Sequence, residues 1–143
     1  MATKMIHEIL NEVNTVTTDK EKIDALRKNY RNTLGFVLRG MFHPKIKYRY
    51  TEIPVYTPLD SPKGFEYSTI DMEIERVYLF EQNNPRRSSN LSDKRMTEIF
   101  IQILECLDAR EAKVFTNMIL KQPMAGLTYD LVVEAFPNLM ADE

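Results

Sequence analysis

Thr18-Asp19-Lys20-Glu21-Lys22-Ile23-Asp24-Ala25-Leu26 is the stretch that decides how the chain folds. Thr18 and Glu21 stand at the spacing of a capping box, in which the hydroxyl accepts the Glu21 amide and the carboxylate reaches back. Behind that cap, Ile23, Leu26 and Tyr30 recur at helical spacing, so a helix opens at Thr18. Upstream, Ile6, Ile9, Leu10 and Val13 mark a first helix on the same period. Downstream, Leu34, Val37, Leu38, Met41 and Phe42 mark a third. Gly35 and Gly40 would weaken that third helix in isolation, so close packing against a neighbour is expected there.

The period then changes. Ile46, Tyr48 and Tyr50 alternate with Lys45, Lys47 and Arg49, which predicts an extended segment with one apolar and one cationic face. Pro54, Pro58, Pro62 and Gly64 make residues 54–68 a loop, and a second, polar loop is expected at about 82–91. Thr69 to Phe80 reads as a helix with Ile70, Ile74 and Val77 on one face. Ser92 caps a helix carrying Met96, Ile99, Phe100, Ile103 and Leu107. Asp108-Ala109-Arg110-Glu111 has the form of a second capping box, opening a helix that buries Ala112, Phe115 and Ile119 and is broken by Pro123 and Gly126. Thr128 caps a last helix with Leu131, Val132, Ala135 and Phe136. The expectation is an all-α protein: a single compact multi-helix domain over residues 1–143, of six to eight helices, without internal repeats or a coiled coil.

A chain of 143 residues, 43% hydrophobic and 28% charged, can bury a core of its own. No apolar run approaches 18 residues, so no membrane span is expected. Met1-Ala2-Thr3-Lys4-Met5-Ile6-His7-Glu8 turns acidic too early for a signal peptide. The one cysteine, Cys106, excludes an internal disulfide, fits a reducing compartment and reads as a buried, inert thiol. The net charge of −2 is unevenly spread. Residues 1–49 carry ten Lys/Arg and five Asp/Glu, net +5; residues 50–143 carry nine and sixteen, net −7. Such asymmetry marks either a nucleic-acid-facing surface or an uneven set of solvated faces.

No recognisable catalytic pattern emerges. There is no Lys-x-Asp-Gly adenylation motif, no phosphate-binding glycine loop and no arrangement of nucleophile and base. His7 and His43 fall on different elements and, with one cysteine, make a poor metal set. Asp71, Glu73 and Glu75 point around a helix and read as a solvated face. The eight methionines read as core filler. The chain is expected to be no enzyme and to need neither cofactor nor metal.

One resemblance carries a functional expectation. The chain has Ile9-Leu10-Asn11-Glu12-Val13, then Leu26-Arg27-Lys28 with Asn32, then Ile46-Lys47-Tyr48-Arg49-Tyr50 followed by Pro54. It closes with Lys121-Gln122-Pro123-Met124-Ala125-Gly126-Leu127-Thr128 and Ala135-Phe136-Pro137-Asn138-Leu139. From about Ile6 to Leu139 this order resembles the helical N-terminal DNA-binding domain of ATP-dependent DNA ligases of the T-even phage type. The likeness is distributed over the chain, and the nucleotidyltransferase part of such a ligase has no counterpart here.

The resemblance implies a small phage accessory protein, in the cytoplasm of an infected bacterial host, that grips duplex DNA by phosphates and sugars without reading sequence. The residues it implicates are Arg27, Lys28, Arg31, Lys45, Lys47, Arg49, Lys121, Gly126 and Thr128. The last two would offer a close approach and free helix amides, and the three patches are expected to track one duplex. The chain departs from the ligase pattern in two places. The ligase Arg-Asp-Leu is Lys121-Gln122-Pro123, which removes bidentate phosphate recognition, and Glu134 stands where the final helix of the ligase is basic. The alternative expectation is therefore a ligase-like fold reused as an adaptor for a protein partner: a polymerase, a clamp or a virion component.

Overall fold

A computed structural model describes residues 5–59, 66–82, 92–124 and 126–139, with the side chain of Tyr78 excepted. Among these residues the fold is all-α, with helices α1 (Ile6–Thr15), α2 (Asp19–Lys28), α3 (Asn32–Phe42), α4 (Ile70–Glu73), α5 (Asp93–Cys106), α6 (Ala109–Ile119) and α7 (Tyr129–Ala135). None of them is long and apolar enough to cross a membrane. The expected second loop lies outside the described residues except for Gln82, and Arg86 and Arg87 lie outside with it.

Helix α6 is the centre of the packing. Helices α1, α3 and α5 lie against it, and α2 packs on α1 and α7. Phe115 of α6 meets Phe100 of α5 at 5.9 Å between ring centroids, and Phe100 meets Phe80 at 5.0 Å. All three rings are fully buried, so this cluster ties α5, α6 and the chain before α5 into one core. The glycines of α3 behave as their positions predict. A Cβ on Gly40 would collide with Tyr48 Oη and meet Met118 of α6, and a Cβ on Gly35 would press on Tyr30 and Leu139. Glycine is what lets α3 and α6 approach.

Thr18, Ser92 and Thr128 each accept an amide from the first turn of the following helix, at 3.2, 3.1 and 3.2 Å. At Thr18 the return arm of the box goes to the hydroxyl, which donates to Glu21 Oε1 at 2.9 Å. Thr69 also caps, accepting the amide of Met72 at 3.3 Å, but the helix it opens departs from the expectation. After one α-turn the chain tightens to a 3-10 helix over Ile74–Phe80. Side chains three apart eclipse one another in that geometry, and Arg76 accordingly grips Glu73, 2.6 Å from its carboxylate.

The solvated face expected at Asp71, Glu73 and Glu75 is also corrected. Glu73 is buried, accepting from Ser68 Oγ at 2.6 Å and from Arg76, and Asp71 accepts a two-pronged bond from Arg31. Asp71 and Glu75 stay exposed, so of the three it is Glu73 that leaves such a face. Cys106 is half-buried at the end of α5, not fully enclosed.

The second capping box is not one. Asp108 accepts the amide of Arg110 at 2.8 Å, and Glu111 turns away from its own helix end. Its carboxylate is wholly buried and accepts the amides of Ile6 at 3.2 Å and His7 at 2.6 Å, with His7 Nδ1 at 3.0 Å. Those amides belong to the first turn of α1, so α6 supplies the cap of a helix more than a hundred residues earlier.

Candidate nucleic-acid interface

The extended segment after α3 is built as its alternation predicts. Arg49 N donates to Phe80 O and Gln82 N to Lys47 O, both at 2.8 Å, forming a single antiparallel bridge between Tyr48 and Glu81. Tyr48 is buried, and Ile46 and Tyr50 are half-buried against the core. Tyr50 stacks at 4.7 Å on Phe100. Burial pushes the Tyr48 phenol above its ordinary pKa, with Glu81 adding to the shift. Lys45, Lys47 and Arg49 alternate with these residues and are all exposed, Lys45 within the turn that Ile46 N closes on His43 O. The result is a short cationic edge on a backbone fixed at both ends. Arg49 pairs with Asp93 at 2.9 Å, but that carboxylate is open to water, so the pair is weak and exchangeable.

The helix-borne cations divide. Lys28 is exposed at the end of α2. Arg27 donates to the carbonyls of Ala135 at 3.1 Å and Glu134 at 2.9 Å, closing the C-terminus of α7. Arg31 is held by Asp71, and the hydrogen bond from that guanidinium keeps the Asp71 carboxyl below its usual range.

Lys121 is the clearest departure from its expected role. Its ammonium donates to Gly40 O at 3.0 Å and His43 O at 2.7 Å, the last carbonyls of α3. Burial draws its pKa down. Its backbone is left-handed, at φ 56°, with Lys121 N on Met118 O and Gln122 N on Asn117 O. That is a Schellman ending to α6 with lysine in the position glycine usually takes. One residue thus closes two helices, by its backbone and by its side chain.

The segment from Lys121 to Thr128 runs from the end of α3 to α2, where Lys22 Nζ approaches Gly126 O at 3.4 Å; Ala125 lies outside the described residues. Gly126 has φ 68°, and a Cβ there would collide with Lys22 Nζ. The group that approaches this glycine closely is therefore a lysine of the same chain. The Thr128 hydroxyl is engaged as the cap of α7.

Two further features lie outside the residues singled out by sequence. Between α1 and α6 runs a cleft of about 550 Å³, with His7, Asn11, Asn14 and Lys113 on its walls. Along α3, Phe36 is 60% exposed and Tyr30 48%, and beside them opens a cleft of about 760 Å³ reaching Ile46 and Ile74. Periodicity gave no warning of Phe36, because it falls on the outer side of a helix whose apolar stripe is already complete. Among the described residues no group of three or more His, Cys, Asp or Glu side chains is placed to hold a metal ion.

The chain matches, over residues 9–123, the model of a family of unknown function, DUF6433. That span is well over half of the chain, and the protein belongs to this family. It includes the cationic edge and α3 but stops short of Gly126 and Thr128. No curated protein matches the chain.

Proposed function

We propose that this protein is a non-catalytic binding module that holds duplex DNA by its backbone, with Lys45, Lys47 and Arg49 as the principal contacts and Lys28 as an outlying one. The observation that carries the reading is the cationic edge itself. Three exposed cations alternate with core-facing residues, and backbone bonds to Phe80 and Gln82 fix the chain at Lys47 and Arg49. Such an edge offers point charges to phosphates without any group positioned to read bases. The resemblance to the phage ligase domain supports the same reading and suggests an accessory role beside a separate enzyme in an infected bacterial cell.

The contact set is smaller than the nine residues implicated from sequence. Arg27 and Lys121 close helices, Arg31 is clamped by Asp71, and the Thr128 oxygen serves its own helix. Four remaining cations give a salt slope of about −3.6, at about −0.9 per phosphate neutralised. Fluorescence anisotropy of a labelled duplex across a salt series tests this. Binding without sequence preference at such a slope is the expected result; no binding at low salt would overturn it.

A second reading is an adaptor that binds a polymerase, clamp or virion component. The exposed Phe36 and Tyr30 favour it, because an apolar face of that kind fits protein better than phosphate. Pull-down from infected-cell lysate with and without nuclease separates the two, since partners of an adaptor survive the nuclease.

A further inference from the structure

We infer that Asp93 is a built-in competitor for the phosphate that Arg49 would bind, so that α5 sets how tightly the cationic edge holds DNA. The inference rests on the DNA-binding reading and adds to it a residue that works against binding.

The contact is built from both sides. Tyr50 docks the end of the extended segment on α5: its hydroxyl lies 3.1 Å from Thr97 Oγ1, and its ring stacks on Phe100 at 4.7 Å. Arg49, the residue before it, donates from Nη2 to Asp93 Oδ1 at 2.9 Å, one turn nearer the start of the same helix. Asp93, Thr97 and Phe100 stand at i, i+4 and i+7, which is one stripe of α5. The two backbones are fixed as well. Arg49 N is bonded to Phe80 O at 2.8 Å, and Asp93 is the first residue of a helix that Ser92 caps through Arg95 N at 3.1 Å. The pair therefore costs less conformational freedom than one between two mobile segments.

The two members differ in exposure. The Arg49 side chain is 30% exposed and that of Asp93 77%, so the carboxylate stands on the solvent side, where a phosphate arrives. A phosphate that reaches Arg49 has two courses. It displaces the carboxylate from Nη2, and the ion pair is lost. Or it takes the remaining N–H groups of the guanidinium and lies beside the carboxylate. Two anions then share one cation, well inside the screening length of about 10 Å at 0.1 M salt, and repel each other. Either course weakens binding. Glu98 is the contrast on the same helix: it is also exposed, but it pairs with Arg95 at 3.5 Å and not with the edge.

Fluorescence anisotropy of the full chain on a labelled duplex at low salt tests the inference. Asp93→Asn is expected to tighten binding about fivefold, the upper range for one exposed ion pair, because both backbones are fixed. In an Arg49→Ala background the same substitution is expected to change Kd by less than about twofold, since the gain passes through Arg49. Glu98→Gln removes the same charge from α5 and is likewise expected to change Kd by less than about twofold. A parent that binds and an Asp93→Asn variant that binds no tighter overturn the inference, as does a gain that persists without Arg49 or that Glu98→Gln reproduces. Failure of the parent and of Asp93→Asn alike to bind overturns the DNA reading itself, and the inference with it.

Discussion

The carboxylate of Glu111 accepts both the backbone amide of His7, at 2.6 Å, and the ring Nδ1 of the same residue, at 3.0 Å. With Ile6 N as a third donor, one fully buried side chain fastens the start of α1 to α6. Glu111→Gln leaves one oxygen for these donors and turns an NH2 group toward them, and is expected to cost about 1–3 kcal/mol. Glu111→Ala removes the acceptor altogether and is expected to cost on the order of 3 kcal/mol or more. Urea unfolding at neutral pH measures both. Two variants within about 0.5 kcal/mol of the parent would show that Glu111 does not hold α1.

The Arg31–Asp71 pair gives the protein an acid-sensitive tie. Arg31 lowers the Asp71 pKa in the folded state below its ordinary 3.8. The folded form thus binds that proton less readily than the unfolded chain. The stabilisation is fully present above the unfolded pKa and is lost as pH falls through the lower folded value. Asp71→Asn is therefore expected to melt below the parent at pH 6 and to converge with it toward pH 2. A constant gap across the pH 2–6 range of a thermal-melt series would contradict the assignment.

Replacing Lys45, Lys47 and Arg49 together by Ala is expected to reduce the salt slope of DNA binding by about 2.7, at 0.9 per lost phosphate contact. Arg27→Ala should behave differently. It frees the carbonyls of Glu134 and Ala135, so it lowers stability by about 0.5–1.5 kcal/mol and leaves the slope alone. An Arg27→Ala slope change as large as that of a lysine of the edge would show that Arg27 contacts phosphate and does not serve only to close α7.

At Lys121, backbone and side chain make opposite demands. Lys121→Gly relieves the left-handed backbone but releases the carbonyls of Gly40 and His43, whereas Lys121→Met releases them and keeps the strain. The expected order of thermal midpoints is parent, then Gly, then Met, with about 1 kcal/mol between the two variants from the conformational term. Met equal to Gly would show that the positive φ carries no cost.

What the sequence made legible was local. Thr18, Ser92 and Thr128 cap because a hydroxyl meets an amide three residues on, and Lys45–Tyr50 alternates because successive side chains of an extended chain point to opposite sides. Glu111 was misread because Asp108-x-x-Glu111 satisfies the local rule for a capping box; only the arrival of α1 from the far end of the chain redirects that carboxylate. Arg27 and Lys121 were expected at a phosphate surface for a similar reason. A lysine or arginine on paper looks the same whether it faces solvent or a helix C-terminus packed beside it, and α7 and α3 are brought there by tertiary contacts. Glu73 reads as solvated until Ser68 and Arg76 are placed around it.

Glu111 also bears on the order in which the molecule is made. During synthesis the segment of α1 leaves the ribosome before α6, and the acceptor for its opening amides is translated more than a hundred residues later. At about 5–20 residues per second, that leaves roughly 5–20 s in which Ile6 and His7 can donate only to water. Arg27 waits longer still for the carbonyls of α7. A nascent or truncated chain that stops before α6 therefore has its helical periodicity but not the ties that end its helices, and α1 becomes a finished element only when the second half of the protein closes over it.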